Sequence, residues 1–451
     1  MLLELIDAVV VAEPDRELLV TAERSLTYAD VATRARAVAA GLAAAGIDRF
    51  GVACATPVDT IVALVAASAI GAEPCVYPRC DLSNSELLAT EFGHTTVLVS
   101  EPDTGLAPAR TVASLEQPAS ELGGATEDPV LILTSGTTGR PKGTRHRWSR
   151  LLAAAHPDRR GGSRRWLLAY NLNQYAGLQV MLHVLGTGDT LVVPDSPQPR
   201  HALAAIQAHG VTHISATPTF WRFLLQLLSG DPAGGVPALQ QITIGGEAVS
   251  DELLDGLRRL FPDAQISQVY ASSEFGSSVS VTDGRAGLPL SVLDRPAEAP
   301  VHFRIVDGEL QARSTVGMQG YHGSEDRDEG WHSTGDLVAV EGDRIRFVGR
   351  TTEVINVGGV KVYPLPIEAM VAAVPGVVAA AVFGHPNPVT GSIVAVDVVG
   401  AEGIDEDELK SAIRTATASL PPAQRPRRIR IVEELNIANN KVRRTGDGGV
   451  E

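Results

Sequence analysis

Between Ser25 and Gly246 the chain alternates short apolar runs with segments whose apolar residues recur every three or four positions, and this alternation constrains the fold most. SLTYADVATRARAVAAGLAAAGI opens on a Thr/Tyr turn and reads as a helix closed near Gly46. FGVACAT, PCVYP, TVLVS, WLLAY, DTLVVP, THISATP and ALQQITIGG read as strands, with TIVALVAASAIG, GLQVMLHVLGTG, HALAAIQAHG and TFWRFLLQLLSG as helices among them. A helix between two strands carries the chain back to start the next strand in the same direction, so the expected product is a mostly parallel sheet covered by helices. Near Val301 the pattern changes to hairpin-like strands with Gly turns, VHFRIVDGELQAR and DLVAVEGDRIRFVG, which predict antiparallel pairing. After Gly349 a separate alternation begins: a hairpin at EVINVGGVKVYP, a helix over IEAMVAAVPG, strands at AAAVFG and SIVAVDVVG, a helix over EDELKSAIRTATASL and a strand at RPRRIRIVEEL. The class is therefore α/β with α+β elements. A large domain over 1–349 holds helix-covered mixed sheets and a small antiparallel, barrel-like part, and a small α/β domain covers 350–451. The tail TGDGGVE is expected to be disordered.

Charge and cysteine usage exclude several function classes. With 53 acidic and 38 basic side chains the net charge is −15, which is the wrong sign for a broad nucleic-acid surface, although a small local cluster of cations remains compatible. Cys54, Cys75 and Cys80 show no C-x-x-C spacing and suit neither a disulfide framework nor a zinc site. The opening MLLELIDAVVVAEPDRE carries Glu4 and Asp7 within its apolar part, unlike a secretory signal. The longest apolar stretch, TIVALVAASAIGAEPCVY, is broken by Glu73 and is too short to span a bilayer. The expectation is a cytoplasmic protein, without nucleic-acid or membrane partners, acting as a monomer or homodimer.

The segment LILTSGTTGRPKGTRH, residues 131–146, runs from a strand into a loop rich in glycine, hydroxyls and cations. Glycines let successive backbone N–H groups converge on an anion, and the hydroxyls and cations add donors and charge, so the composition suits a polyphosphate. It is not a P-loop: counting from Gly136, Pro141 stands where the second Gly belongs and Gly143 where Ser or Thr belongs. TSGTTGRPKG resembles the signature loop of the adenylate-forming superfamily, which comprises acyl-CoA synthetases, nonribosomal-peptide adenylation domains and luciferases. Five further segments resemble that family's motifs in the same order: ITIGGEAVS (242–250), VYASSEFG (269–276), GWHSTGDLV (330–338), FVGRTTEVINVGGVKVYP (347–364) and NIANNKVRR (436–444).

The resemblance implies an ATP- and Mg²⁺-dependent reaction. A carboxylate attacks the α-phosphate, giving an acyl-adenylate and pyrophosphate, and a thiol then displaces the nucleotide. Both partners of the first step are anionic, so aligned positive charge is the main lever. The implied nucleotide contacts are Thr134, Ser135, Gly136, Thr137, Thr138, Gly139 and Lys142 on the phosphates, with Ser273 on the α-phosphate. Glu274 with Thr138 is implied for the metal, Gly245, Gly246 and Glu247 beside the adenine, Tyr270 stacked on it, and Asp336 and Arg350 on the ribose. Lys441 is the implied cation of the first step. Isolated, each has an ordinary reading: a surface Glu, a helix-capping Asp, a packing Tyr, a basic tail. The ordered motifs decide between the readings.

For the second step, Gly358 and Gly359 are implied to line a tunnel for the thiol of coenzyme A or of the phosphopantetheine arm on an acyl or peptidyl carrier protein. This sequence departs from the family pattern at Thr352, Pro366 and Asn440, where an acid, an acid and a glycine are usual. These departures bear on the speed or partner of thiolation. The acyl pocket is assigned to Asn173, Gln174, Thr217, Gly246, Ala271 and Ser272. WLLAYNLNQYAGLQV, read there as strand, puts two amides where the family carries an aromatic residue and a histidine, and it offers no acid to hold an α-ammonium. The expected function is an acid–thiol ligase acting on a small carboxylic acid with coenzyme A. Carrier-protein loading and amide formation are the alternatives.

Overall fold

The computed structural model describes residues 1–78, 82–102, 109–118, 127–134, 141–155, 164–230, 235–438 and 441–444. Two mixed sheets dominate it. The first has eight strands in the order Gly276–Val281, Gln265–Ser272, Gln241–Gly245, His213–Ala216, Arg165–Leu167, Thr190–Val192, Glu17–Val20 and Ser25–Thr27. The second has seven, Gly320–Tyr321, Lys142–Arg147, Pro129–Thr134, Glu73–Val76, Arg49–Val52, Val97–Val99 and Ala109–Thr111. The central strands of both run parallel, Lys142–Arg147 is antiparallel to both its neighbours, and antiparallel pairs close three of the four edges.

The period-2 rule explains how each sheet is covered on both faces. Val130 and Ile132 of Pro129–Thr134 join one core while Leu131 and Leu133 join another. The shared core takes Leu19 and Leu191 from the first sheet and Phe50 and Val52 from the second, packed with the helices Leu2–Ala12, Tyr28–Ala44, Pro57–Ile70 and Tyr175–Thr187. Local signals set these helices. Thr27 and Asp30 form a reciprocal capping box, and Thr56 caps the helix that Gly71 ends in left-handed geometry. The far face of the first sheet is covered by Pro199–His209, Pro218–Gly230 and Asp251–Leu260. The helix Leu2–Ala12 lies in a segment that carries no signal for one in the reading above, and it buries Leu2, Leu3 and Ile6 in the shared core.

From Leu288 to Arg350 five strands form a wholly antiparallel sheet, as the hairpin pattern predicts. Residues 355–431 build a further sheet with its own core. Ile367 and Val371 of the helix Pro364–Ala372 and Leu409 and Ile413 of Glu406–Ala416 pack on Val382, Val394, Val396 and Val398. The hairpin Ile437–Ala438/Lys441–Val442 follows it. One expected strand is shortened: it stops at Leu167, and the helix starts at Tyr175. The Asn171 N–H donates to Gln174 Oε1 (3.0 Å) and Gln174 N to Asn171 O (3.0 Å), a side-chain-supported turn that competes with further sheet pairing. Cys54 and Cys75 are free thiols, and burial pushes both up, Cys54 to about 12, which suits packing rather than nucleophilic attack; Cys80 lies outside the described residues, as does the tail TGDGGVE. Among the described residues no helix is long and apolar enough to cross a membrane.

Candidate active site

Sheet register builds the most ordered part of the site. In the hairpin His332–Glu341/Arg344–Arg350, Asp336 stands directly opposite Arg350, so the two side chains share a face. Arg350 Nε donates to Asp336 Oδ1 (2.9 Å), and Tyr270 Oη donates to Oδ2 (2.7 Å). Tyr270 comes from the eight-stranded sheet, on the strand Gln265–Ser272, where a bulge between Tyr270 and Ala271 re-aims the strand end. Its ring stacks on Phe347 at 5.2 Å and meets Phe303 edge-on at 5.9 Å. Thr334 Oγ1 accepts the Asp336 N–H (3.1 Å). The Asp336 carboxylate raises the Arg350 guanidinium against the effect of burial. Burial first, and Asp336 second, hold the Tyr270 phenol well above its ordinary range. Asp336 is thus a buried carboxylate whose two oxygens are already aligned by a cation and a phenol.

A second cluster lies where the signature loop leaves and re-enters its sheet. Thr134 and Lys142 are cross-strand partners that close the loop, and Thr134 Oγ1 contacts Lys142 O at 3.4 Å. Ser135, Gly136, Thr137, Thr138 and Gly139 lie outside the described residues. Lys142 Nζ sits 5.3 Å from the Tyr321 ring, a cation–π distance. Burial and then Glu274, which accepts from its hydroxyl, raise the Tyr321 phenol. Arg327 Nη1 donates to Glu274 O (2.7 Å) and lies 4.2 Å over Phe275; burial lowers this guanidinium and the Glu274 charge pulls it back up. Ser273 and Glu274 form the turn after Ser272, whose Oγ accepts from Phe275 N at 3.1 Å. Under this turn His146 is 1% exposed, and neither ring nitrogen has a hydrogen-bond partner among the described residues. Burial pushes it down to about 3, the Ser273 backbone pulling partly the other way.

The third cluster starts at the end of Gln241–Gly245. Gly245 O accepts from Tyr170 Oη (3.2 Å), and Gly246 turns the chain at φ 86, a left-handed conformation that favours glycine. The turn delivers Glu247, whose Oε2 accepts from Thr219 N (3.0 Å) and Thr219 Oγ1 (2.7 Å) and whose Oε1 accepts from Val442 N (2.9 Å). The residue before Val442 is Lys441, so the backbone carrying the lysine is fastened to the Gly-Gly-Glu turn. Arg444, two residues on, makes a bidentate pair with Glu368 (2.8 and 3.0 Å) and reaches Glu353 at 3.3 Å. Burial would lower that guanidinium; Glu368, then Glu353 and Glu247, together raise it.

The acyl-pocket residues are distributed around this cluster. Asn173 is buried at the edge of a cavity of about 60 Å³ that Tyr170 and Tyr77 also line. Gln174 occupies the N-cap of the helix Tyr175–Thr187, and its amide oxygen is engaged by Asn171. Thr217 is 1% exposed, its Oγ1 accepting from Phe220 N (3.1 Å) at the start of Pro218–Gly230. Ala271 and Ser272 are half-buried at the bulged strand end. Gly358 and Gly359 form the two-residue turn between Ile355–Val357 and Val360–Val362, at φ 58 and 88. Both angles are left-handed, the requirement of a tight hairpin turn that matches sheet twist. This turn is exposed and its neighbours belong to the same sheet, Gly358 N donating to Thr390 O (2.8 Å). Sequence reasoning missed Thr219, Tyr321, Arg327 and Phe347, each an ordinary residue type in sequence whose partner comes from a distant element. Phe347 and Arg444 had a visible signal, since both fall within quoted motifs, whereas Glu368 lies just beyond the segment 347–364.

Residues 6–322 match the family model of AMP-binding enzymes, and residues 366–441 match that of the AMP-binding enzyme C-terminal domain. The chain belongs to this adenylate-forming family. Among curated relatives, feruloyl-CoA synthase of an Amycolatopsis species is 29% identical, with 87% of this chain and 88% of that protein covered. The 2-succinylbenzoate–CoA ligase of Listeria monocytogenes is 27% identical over 70% of this chain and 68% of its own. The crystal structure of an anthranilate CoA ligase in complex with anthranoyl-AMP superposes with a TM-score of 0.82, at 18% identity, covering 98% of this chain and 95% of that one, and shows the same fold. The α/β architecture and the family resemblance read from the motifs are thereby established.

Proposed function

We propose that this protein is an AMP-forming acid–thiol ligase that activates a small carboxylic acid with ATP and passes the acyl group to coenzyme A. The observation that carries this reading is the hydrogen bond from Val442 N to Glu247. It sets the Lys441 backbone against the Gly-Gly-Glu turn, on the same body as Asp336, Tyr270 and Glu274. Asp336 and Arg350 take the ribose, and Tyr270 flanks the base. Thr134, Lys142 and the loop 135–139 take the β- and γ-phosphates, with Ser273 at the α-phosphate. Lys441, a compact mobile charge, offsets repulsion between carboxylate and phosphate. Asn173, Gln174, Thr217, Gly246, Ala271 and Ser272 bound the acyl pocket. Residues 1–349 and 350–451 act as body and cap, and cap rotation brings Gly358 and Gly359 to the thiol.

Magnesium fits the residues present. Among the described residues no three His, Cys, Asp or Glu side chains gather as a metal-binding group, but Glu274 offers a single hard carboxylate that meets Tyr321, with its backbone carbonyl held by Arg327. Mg²⁺ commonly binds through one or two carboxylates plus substrate phosphates. Glu274 would hold it with Thr138, and when bound it supplies charge neutralisation on the phosphates. The relatives named for CoA ligation support the thiol over a carrier protein or an amine. Mass analysis of the product formed with coenzyme A, a phosphopantetheinylated carrier protein or a simple amine tests the assignment: an acyl-CoA is expected, and an exclusively carrier-bound or amide product contradicts it.

A further inference from the structure

One face of the helix Pro218–Gly230 ties body to cap at two points. Thr219 and Phe223 are four residues apart and so lie on one face of the helix. Thr219 donates twice to Glu247, whose other oxygen receives Val442 N. Phe223 packs on the buried cluster of Ala379, Ala381, Val399 and Leu435, with Val442 also against it. The opposite face, with Phe220, Trp221 and Leu224, is anchored in the core of the eight-stranded sheet. The lysine strand is meanwhile fixed to the cap helix Pro364–Ala372 through Arg444 and Glu368, so strand and cap move together.

We infer that Glu247 and Phe223 form a clasp that positions Lys441 for adenylate formation and sets how long the cap stays in that posture. Glu247 is polar and local to the lysine strand; Phe223 supplies apolar burial on the cap sheet. Both contacts are between protein groups, so the clasp acts through Lys441 and the cap as a pair of positioning residues. Removing either contact weakens the docked arrangement relative to any other cap position. Adenylate formation then slows while transfer from an adenylate already made is spared or quickened. This inference rests on the ligase reading above.

The test uses full-length Phe223→Ala, Phe223→Leu and Glu247→Gln against the unchanged protein. Hydrogen exchange at the Val442 amide is read first, because it needs no substrate. The expected result is roughly tenfold faster exchange in Phe223→Ala and Glu247→Gln, with helix Pro364–Ala372 unchanged and Phe223→Leu near the parent. ATP–pyrophosphate exchange should fall roughly tenfold in the same two variants, while thioester formation by Phe223→Ala from supplied acyl-adenylate does not fall. Unaltered Val442 protection, or a parallel loss of both half-reactions in Phe223→Ala, overturns the clasp. An unchanged protein that makes no adenylate with any acid overturns the ligase reading instead, and the amide exchange still decides the clasp.

Discussion

The group around Asp336 and the turn at Gly358–Gly359 belong to the same proposed enzyme but stand in opposite states. Asp336, Tyr270 and Arg350 come from three strands in two sheets and meet within 3 Å through side-chain contacts. The glycine turn is exposed, and a Cβ added at Gly359 would meet nothing within 4 Å. If these are the nucleotide and thiol ends, as proposed, the first is assembled before ligand arrives, as electrostatic preorganisation requires, and the second is open to solvent. On the reading proposed above, one cap position serves one half-reaction, and the described position, with Val442 on Glu247, is assigned to adenylation.

Separating the half-reactions by mutation would sharpen or break this contrast. The largest expected effect is at Lys441: Lys441→Ala should cut ATP–pyrophosphate exchange by at least about 100-fold. ATP binding, measured by calorimetry, should stay within a few-fold; undiminished exchange would remove Lys441 from the first step. A smaller and opposite split is expected at the turn. Gly359→Ala places a Cβ at φ 88, a left-handed conformation costing roughly 1–2 kcal/mol. Thioester formation should slow about tenfold with adenylation unchanged, and an equal loss of both would show that the turn is merely structural.

The smallest effect concerns the body beneath the loop. His146 falls from an ordinary 6.5 to about 3 in the folded protein, so the unfolded chain takes its proton first as pH falls. Its contribution is intact above pH 6.5 and is lost as pH drops from 6.5 toward 3. Each pH unit within that window costs about 1.4 kcal/mol. His94, lowered by burial to about 4, acts in the same direction. Denaturant midpoints between pH 7 and 5 should decline, with a shallower slope in His146→Leu; equal slopes would contradict the assignment.

The legible parts of this molecule were those in which local sequence and tertiary role agree. The strands FGVACAT and THISATP and the Gly-Gly hairpin carry their period and turn residues within a few positions. The motif order likewise exposed Asp336, Arg350 and Glu247. Illegible were pairings that depend on register between distant segments. Glu17–Val20 joins Thr190–Val192 across the chain, and Thr219 finds Glu247 only once the helix is placed. The end of the strand at Leu167 was misread because Gln174 reaches back to the Asn171 backbone, a side-chain turn that apolar periodicity does not encode. Tyr321 escaped because its value lies in standing between Lys142 and Glu274, which are 132 residues apart in sequence (274 − 142).

The central claim, that this chain makes an acyl-adenylate, is tested most directly by ATP–pyrophosphate exchange. The assay should use the full-length protein with Mg²⁺ across a panel that includes ferulate, 2-succinylbenzoate, anthranilate and short aliphatic acids. The account predicts label exchange that depends on at least one acid and disappears without Mg²⁺. Acid-independent exchange, or none with any acid, would contradict it.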